Sequence, residues 1–167
     1  MADSHGKNPS IRRIVTGHDA KGKAIVWLDG PAGNHKFPDE KVSSTLMWST
    51  DASPADFSID DDAGARMLGT APPAGGTRFA VLEIQPGNTL HGLHRTDTVD
   101  YVICISGQID MELGDSKVTM KAGDIMVQRG TFHGWVNRSN EPARIAVVLI
   151  DGKPKRDDSI VGNLTAR

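Results

Sequence analysis

From residue 78 onward the chain is a run of short apolar segments broken at close intervals by turn residues, and that rhythm limits the fold more than any other feature. The segments read RFAVLEIQ, TVDYVICIS, QIDMEL, KVTMKA, DIMVQR, HGWVN and ARIAVVLID, with PGN, SG, LGDS, AGD, RGTF and RSNEPA between them. Each segment is rich in β-branched or aromatic residues, and each separator supplies Gly, Asn, Asp, Ser or Pro where a tight turn needs it. Strands recurring roughly every 8 to 12 residues predict an antiparallel sandwich or barrel. The expected class is all-β, and 18 glycines and 9 prolines with few helix-favouring runs agree.

The first half is less regular. Residues 1 to 9 have no periodicity and read as a mobile tail. IRRIVTG and KAIVWLDG flank HDAKG, which predicts two antiparallel strands at 11 to 16 and 23 to 28. PAGNHKFPDE reads as loop, with His35 in solvent like His5 and His18, and STLMWST at 44 to 50 as a third strand. Residues 51 to 77 are long, acidic in the middle and rich in Pro and Gly, with no helix expected; connections of that length serve as lids, binding loops or subunit contacts. Residues 153 to 167 read as a polar tail. The 167 residues suit one domain, with N-terminal strands and a long loop over 10 to 77 and a barrel core over 78 to 152.

Composition removes several function classes. The formal charge is −2 with basic residues scattered, so no electrostatic footprint for nucleic acid or an acidic membrane is present. Cys104 is the one cysteine, which excludes an intramolecular disulfide and reads as a buried strand thiol. MADSHGKNPS lacks the apolar core of a signal peptide, and no run approaches the roughly 20 apolar residues of a membrane span. A cytoplasmic location is expected.

Strand parity then sorts the chemistry-bearing side chains. Residues an even number apart in a strand share a face. In HGLHRTDTVDY, His94, Thr96 and Asp100 fall on one face, whereas His91 and Asp97 fall on the other, as does Tyr101, which reads as packing between sheets. In HGWVN, His133 and Trp135 share a face. A barrel that joins the two segments brings His94, Asp100 and His133 to one interior point. Two neutral imidazoles and a carboxylate suit Fe(II), and zinc, manganese or nickel bind the same donors. Met126 and Gln128 share an inward face and, with Thr96 and Trp135, are the expected substrate pocket. His91 at the rim is the candidate catalytic acid or base.

HRTDTVDYVICISG followed by AGDIMVQRGTFHGWVN resembles the two motifs of the cupin superfamily. His94 stands on the first motif's leading histidine, Asp100 on its glutamate and Gly107 on its glycine, while Thr96 replaces the second histidine. Gly123, Gly130, His133 and Asn137 stand on the places of the second motif, with Gln128 where proline is common. The resemblance implies a double-stranded β-helix, or jelly-roll barrel, with the site inside and an N-terminal strand extension. It also implies a homodimer in which N-terminal strands extend the partner's sheet and bury Ile11, Ile14, Val26 and Trp27.

The functional expectation is a mononuclear metal-dependent enzyme of the dioxygenase, decarboxylase, isomerase or lyase type, acting on a small oxygenated or carboxylated substrate. Iron is the first expectation for the metal. A degenerate site with no metal, given Thr96, leads instead to a non-catalytic small-molecule binder or sensor. A metal-free enzyme using a His and Asp pair as acid and base is a third reading.

Overall fold

The computed structural model describes residues 11–88 and 92–154, so both chain ends and the segment that includes His91 lie outside the described residues. Strands β1 (Arg12–His18) and β2 (Ala24–Pro31) pair only with each other. Six strands, β3 (His35–Asp39), β4 (Val42–Thr50), β5 (Thr77–Ile84), β6 (Thr98–Ser106), β9 (Ile125–Arg129) and β11 (Ala143–Asp151), form one antiparallel sheet in the order β3-β4-β5-β11-β6-β9. The remaining three, β7 (Gln108–Leu113), β8 (Ser116–Lys121) and β10 (Gly134–Val136), form a second in the order β10-β7-β8. The last strand thus returns to lie between β5 and β6, which gives the jelly-roll barrel.

The alternation of the strands decides what faces inward. Ile84 of β5, Val102 and Cys104 of β6, and Ile145, Val147 and Leu149 of β11 meet Ile109 of β7 and Met120 of β8 in the core between the sheets. Ile145 is fully buried there, and cutting it to alanine costs about 2–5 kcal/mol. Cys104 is part of this core, and burial, with Asp124 nearby, pushes its thiol up from the ordinary value. The opposite parity of the central strands, including Val81 and Ala146, packs a second cluster with Ala32, Met47, Ile11 and Phe79. Farther along the same outer face the cover stops. Tyr101, Ile103 and Ile105 of β6 and Ile125 and Val127 of β9 are exposed, so Tyr101 points outward and does not pack between the sheets.

Gly107 shows why a motif glycine is required. It turns β6 into β7 at φ 71°, and a Cβ there would sit 2.5 Å from the Pro142 carbonyl oxygen.

Two expectations for the first half are corrected. The stretch read as loop contains β3, an edge strand whose Pro38 lowers the strand signal yet is tolerated where an N–H faces no neighbour. His35 belongs to that strand, half-buried, with Nδ1 2.8 Å from Thr45 Oγ1. The connection over 51 to 76 carries one 3-10 turn, Ala63–Ala65, too short to leave a periodic signal. It is fastened to the body of the protein. Arg13 forks onto Asp62 at 2.7 and 2.6 Å, and Asn34 Nδ2 donates to the carbonyls of Gly64 and Arg66. Lys36 Nζ donates to the Leu68 carbonyl, and Gly69 and Thr70 just beyond form part of the cavity wall.

Candidate functional site

The barrel encloses a cavity of about 550 Å³, within the range of small-molecule sites. His94, Thr96, Asp100, His133 and Trp135 all line it. The two histidines come from segments far apart in sequence, and backbone pairing joins them. His94 N–H donates to the His133 carbonyl and His133 N–H to the His94 carbonyl, both at 2.9 Å, as an isolated antiparallel bridge. Residues opposed in such a pair present side chains to the same face. The imidazole centroids are accordingly 4.5 Å apart with planes at 51°.

His133 is held in one orientation. Its Nδ1 lies 2.9 Å from the Thr131 carbonyl oxygen, an atom that only accepts, and 3.0 Å from Gln128 Nε2; the tautomer that serves the carbonyl carries its proton on Nδ1 and leaves the Nε2 lone pair free. Gln128 Nε2 donates to the same carbonyl at 3.0 Å, and Trp135 meets the ring edge-on at 6.1 Å. A histidine anchored through one nitrogen to a backbone carbonyl is the arrangement that prepares the other nitrogen as a ligand or base. Burial lowers the pKa of His133. His94 is more open to solvent than His133; partial desolvation and the neighbouring His133 lower its pKa, with Asp100 opposing. Both rings are therefore neutral at neutral pH.

Asp100 sits on β6 between Leu149 of β11 and Gln128 of β9. It is 4% exposed, and its Oδ1 is buried without a hydrogen-bond partner. Burial raises its pKa, while the Thr98 hydroxyl and His94 pull it partly back. Two neutral imidazoles and an unsatisfied carboxylate oxygen fit a divalent metal by donor chemistry. Among the described residues, however, no three His, Cys, Asp or Glu side chains stand ready around one metal-sized point. The histidine pair and Asp100 share the cavity without closing on it.

A family model described as the cupin domain matches residues 80–149. Phomopsin biosynthesis cluster protein C' of Diaporthe leptostromiformis is 32% identical across 99% of this chain and 94% of its own length. The chain belongs to the cupin family. A cupin-domain-containing oxidoreductase of Hypocrea virens, virC, is 31% identical over 87% of this cupin and 80% of its own length. The crystal structure of an HTH_3 family transcriptional regulator from Vibrio cholerae is similar with a TM-score of 0.50 at 10% identity, over 73% of this chain and 58% of that one, a likeness of fold alone. Among the described residues no helix is long and apolar enough to cross a membrane.

Within this cupin, the sequence-derived residues fall into three groups. His94, Thr96, Asp100, His133 and Trp135 converge on the cavity. Thr96, on the second-histidine place, bonds the Thr98 hydroxyl at 2.7 Å. Met126 and Gln128, expected to line the pocket, are not among its lining residues. Met126 packs against the core, and the Gln128 amide is drawn back onto the 131–133 turn. His91 lies outside the described residues. Asp97, on the opposite parity, pairs with Arg95 at 2.8 Å. Sequence reasoning missed Arg78, which lines the cavity from β5. Its signal was a charged residue sharing the inward parity of Ala80, Leu82 and Ile84.

Proposed function

We propose that this cupin is a metal-dependent oxidoreductase acting on a small organic substrate in a biosynthetic sequence, with His94, Asp100 and His133 as the metal-holding residues. The observation that carries the reading is the backbone bridge that sets two neutral imidazoles side by side in a cavity that Asp100 also lines, its Oδ1 buried and without a hydrogen-bond partner. Relatives named as cupin-domain-containing oxidoreductases and as biosynthesis cluster proteins support it. Iron(II) is the metal we favour for this donor set, and zinc, manganese or nickel are its competitors. When bound, the metal supplies Lewis-acid polarisation of substrate oxygens and, as iron, a site for O₂ chemistry. The chain's own residues do the rest. Thr131 and Gln128 hold the His133 ring, Trp135 and the aliphatic wall exclude water, and Asp100 supplies the charge.

A second reading has an observation of its own: the donors do not close on one point. The site then works without metal, with His133 Nε2 as base and Asp100, whose pKa burial raises, as acid. Elemental analysis of the purified protein separates the two. Near one transition metal per chain, falling in His133→Ala, supports the first reading; no metal after growth in supplemented medium moves the assignment to the second. Metal-dependent O₂ uptake with a panel of small carboxylates, catechols and diketones then tests the reaction class.

The homodimer belongs to the same proposal. Ile14 and Val26 on the hairpin and Ile125 and Val127 on the edge strand β9 are exposed in the single chain, and uncovered strand edges favour pairing. Ile11 and Trp27 are already half-buried within the chain, Trp27 edge-on to Trp48 at 6.4 Å. Light scattering at twice 17.9 kDa supports the dimer, and a monomer at micromolar concentration removes it.

A further inference from the structure

The cavity has a second polar end that the histidines do not use. Arg78 enters from β5, opposite Leu149 of β11, which in turn lies opposite Asp100 of β6. The three side chains therefore stand in one row on the inner face, with Arg78 and Asp100 two strand spacings, about 10 Å, apart at Cα. Arg78 is 6% exposed. Among the described residues its single hydrogen-bond partner is Ser44, reached from Nη2 at 2.9 Å, and its Nε is buried without an acceptor. Other arginines behave differently. Arg12, Arg13, Arg66, Arg95, Arg138 and Arg144 each meet an aspartate or glutamate. Among the described residues Arg78 is the one buried arginine, and it meets no carboxylate; Arg129, which also lacks one, is exposed to water.

A guanidinium cannot escape burial by giving up its proton in the accessible pH range, so an unpaired one in an apolar wall is waiting for an anion. Lys36 strengthens the same end of the cavity. It lies opposite Ser44 across β3 and β4 and lines the cavity, its ammonium already bonded to a neutral carbonyl. Leu149 lies between Arg78 and Asp100 in that row, and Leu82, Val102, Val147 and Trp135 add to the apolar lining.

We propose that Arg78, with Lys36 beside it, is the recognition site for the carboxylate of a small organic acid whose apolar body lies along the aliphatic wall and whose far end meets His94 and His133. The inference rests on the functional reading above and adds the substrate class. The guanidinium nitrogens that Ser44 leaves open grip the carboxylate, which fixes how the acid lies in the cavity and which carbon faces the histidines.

The test compares 3-phenylpropanoate with 3-phenylpropanamide, a matched pair differing in charge, by calorimetric titration of the full chain. The expected result is an acid that binds at least about tenfold tighter than the amide, a gap of about 1.4 kcal/mol. Arg78→Met abolishes that preference while the amide still binds saturably, and an unchanged near-UV circular dichroism spectrum reports that the cavity is still folded. Arg78→Lys restores part of the preference. Equal affinities in the unmodified protein, no saturable binding of the acid, or a preference that survives Arg78→Met each overturns the proposal. Metal content measured on the same samples keeps the two claims apart: in His133→Ala the metal is lost and the preference for the acid remains. A protein without metal that still discriminates by charge sinks the metal reading alone, and one with metal and no discrimination sinks this one alone.

Discussion

Asp100 and Asp110 are the same residue type, buried to nearly the same degree, at 4% and 7% exposure, and their surroundings treat them in opposite ways. Asp110 lies on β7, where Thr119 donates to Oδ1 at 2.6 Å and Arg138 to Oδ2 at 2.7 Å, with Lys117 at 3.5 Å. The Thr119 hydroxyl first, then Arg138 and Lys117, hold its pKa below the ordinary carboxylate value against the effect of burial. Asp100 faces the cavity with Oδ1 unpartnered, and burial holds its pKa above that value. Burial depth therefore does not distinguish a structural charge from a functional one. The distinction is whether the chain supplies an oppositely charged partner, and in the cavity it leaves Asp100 Oδ1 and Arg78 Nε without any partner among the described residues.

Breaking the satisfied site has the largest expected effect on folding. Asp110→Ala leaves Thr119 and Arg138 without their acceptor and loses about 2 kcal/mol in urea unfolding, a figure already reduced because Arg138 is half exposed. A loss within experimental error would mean that the network is only a surface feature. Gln128 stands between the two cases, its Nε2 engaged and its Oε1 buried without a partner. Gln128→Leu loosens the hold on the His133 turn and weakens metal binding by about tenfold, or about 1.4 kcal/mol, with the fold retained. Unchanged metal affinity would leave Thr131 alone as the anchor of the ring.

Smaller effects follow at Asp100 in chelator-treated protein. Asp100→Asn removes a buried, unpaired charge and raises stability at neutral pH by about 1 kcal/mol, opposite in sign to the Asp110 change. Destabilisation would mean that an internal partner completes the site. The pH slopes differ as well. Asp110, with its folded pKa lowered, contributes stability that is present above the unfolded value of 3.8 and is lost as pH falls through the folded value. Asp100, with its folded pKa raised, contributes stability that is present below 3.8 and is lost as pH rises through the folded value. Unfolding curves of Asp100→Asn and Asp110→Asn across pH 3 to 8 should accordingly flatten on opposite sides of the carboxylate range.

The barrel was legible because its strands are short, alternating and separated by turn residues that have few other uses; TVDYVICIS, QIDMEL and ARIAVVLID coincide with β6, β7 and β11 residue for residue. β3 was hidden by Pro38, and the Ala63–Ala65 turn by its brevity. Parity placed His94, Asp100 and His133 on the cavity wall, since a period of two holds wherever a strand is regular. It also pointed Gln128 inward, but parity cannot say which neighbour an amide reaches, and a turn three residues away claimed it before the cavity could. Arg78 was visible in principle. An arginine in register with Ala80, Leu82 and Ile84 contradicts the apolar pattern of its own strand, and that contradiction marks a site.

The most direct measurement is metal content per chain in three asparagine variants, Asp100→Asn, Asp97→Asn and Asp110→Asn, beside the unmodified protein. Asp97 pairs with Arg95 and Asp110 with Arg138, so neither is open to a ligand. The expected result is near one transition metal per chain in the unmodified protein and in the Asp97 and Asp110 variants, with most of it lost from Asp100→Asn. Equal content in Asp100→Asn and Asp97→Asn, or no metal in any of the four after growth in supplemented medium, would contradict the claim that the unsatisfied carboxylate of the cavity is there to hold a metal.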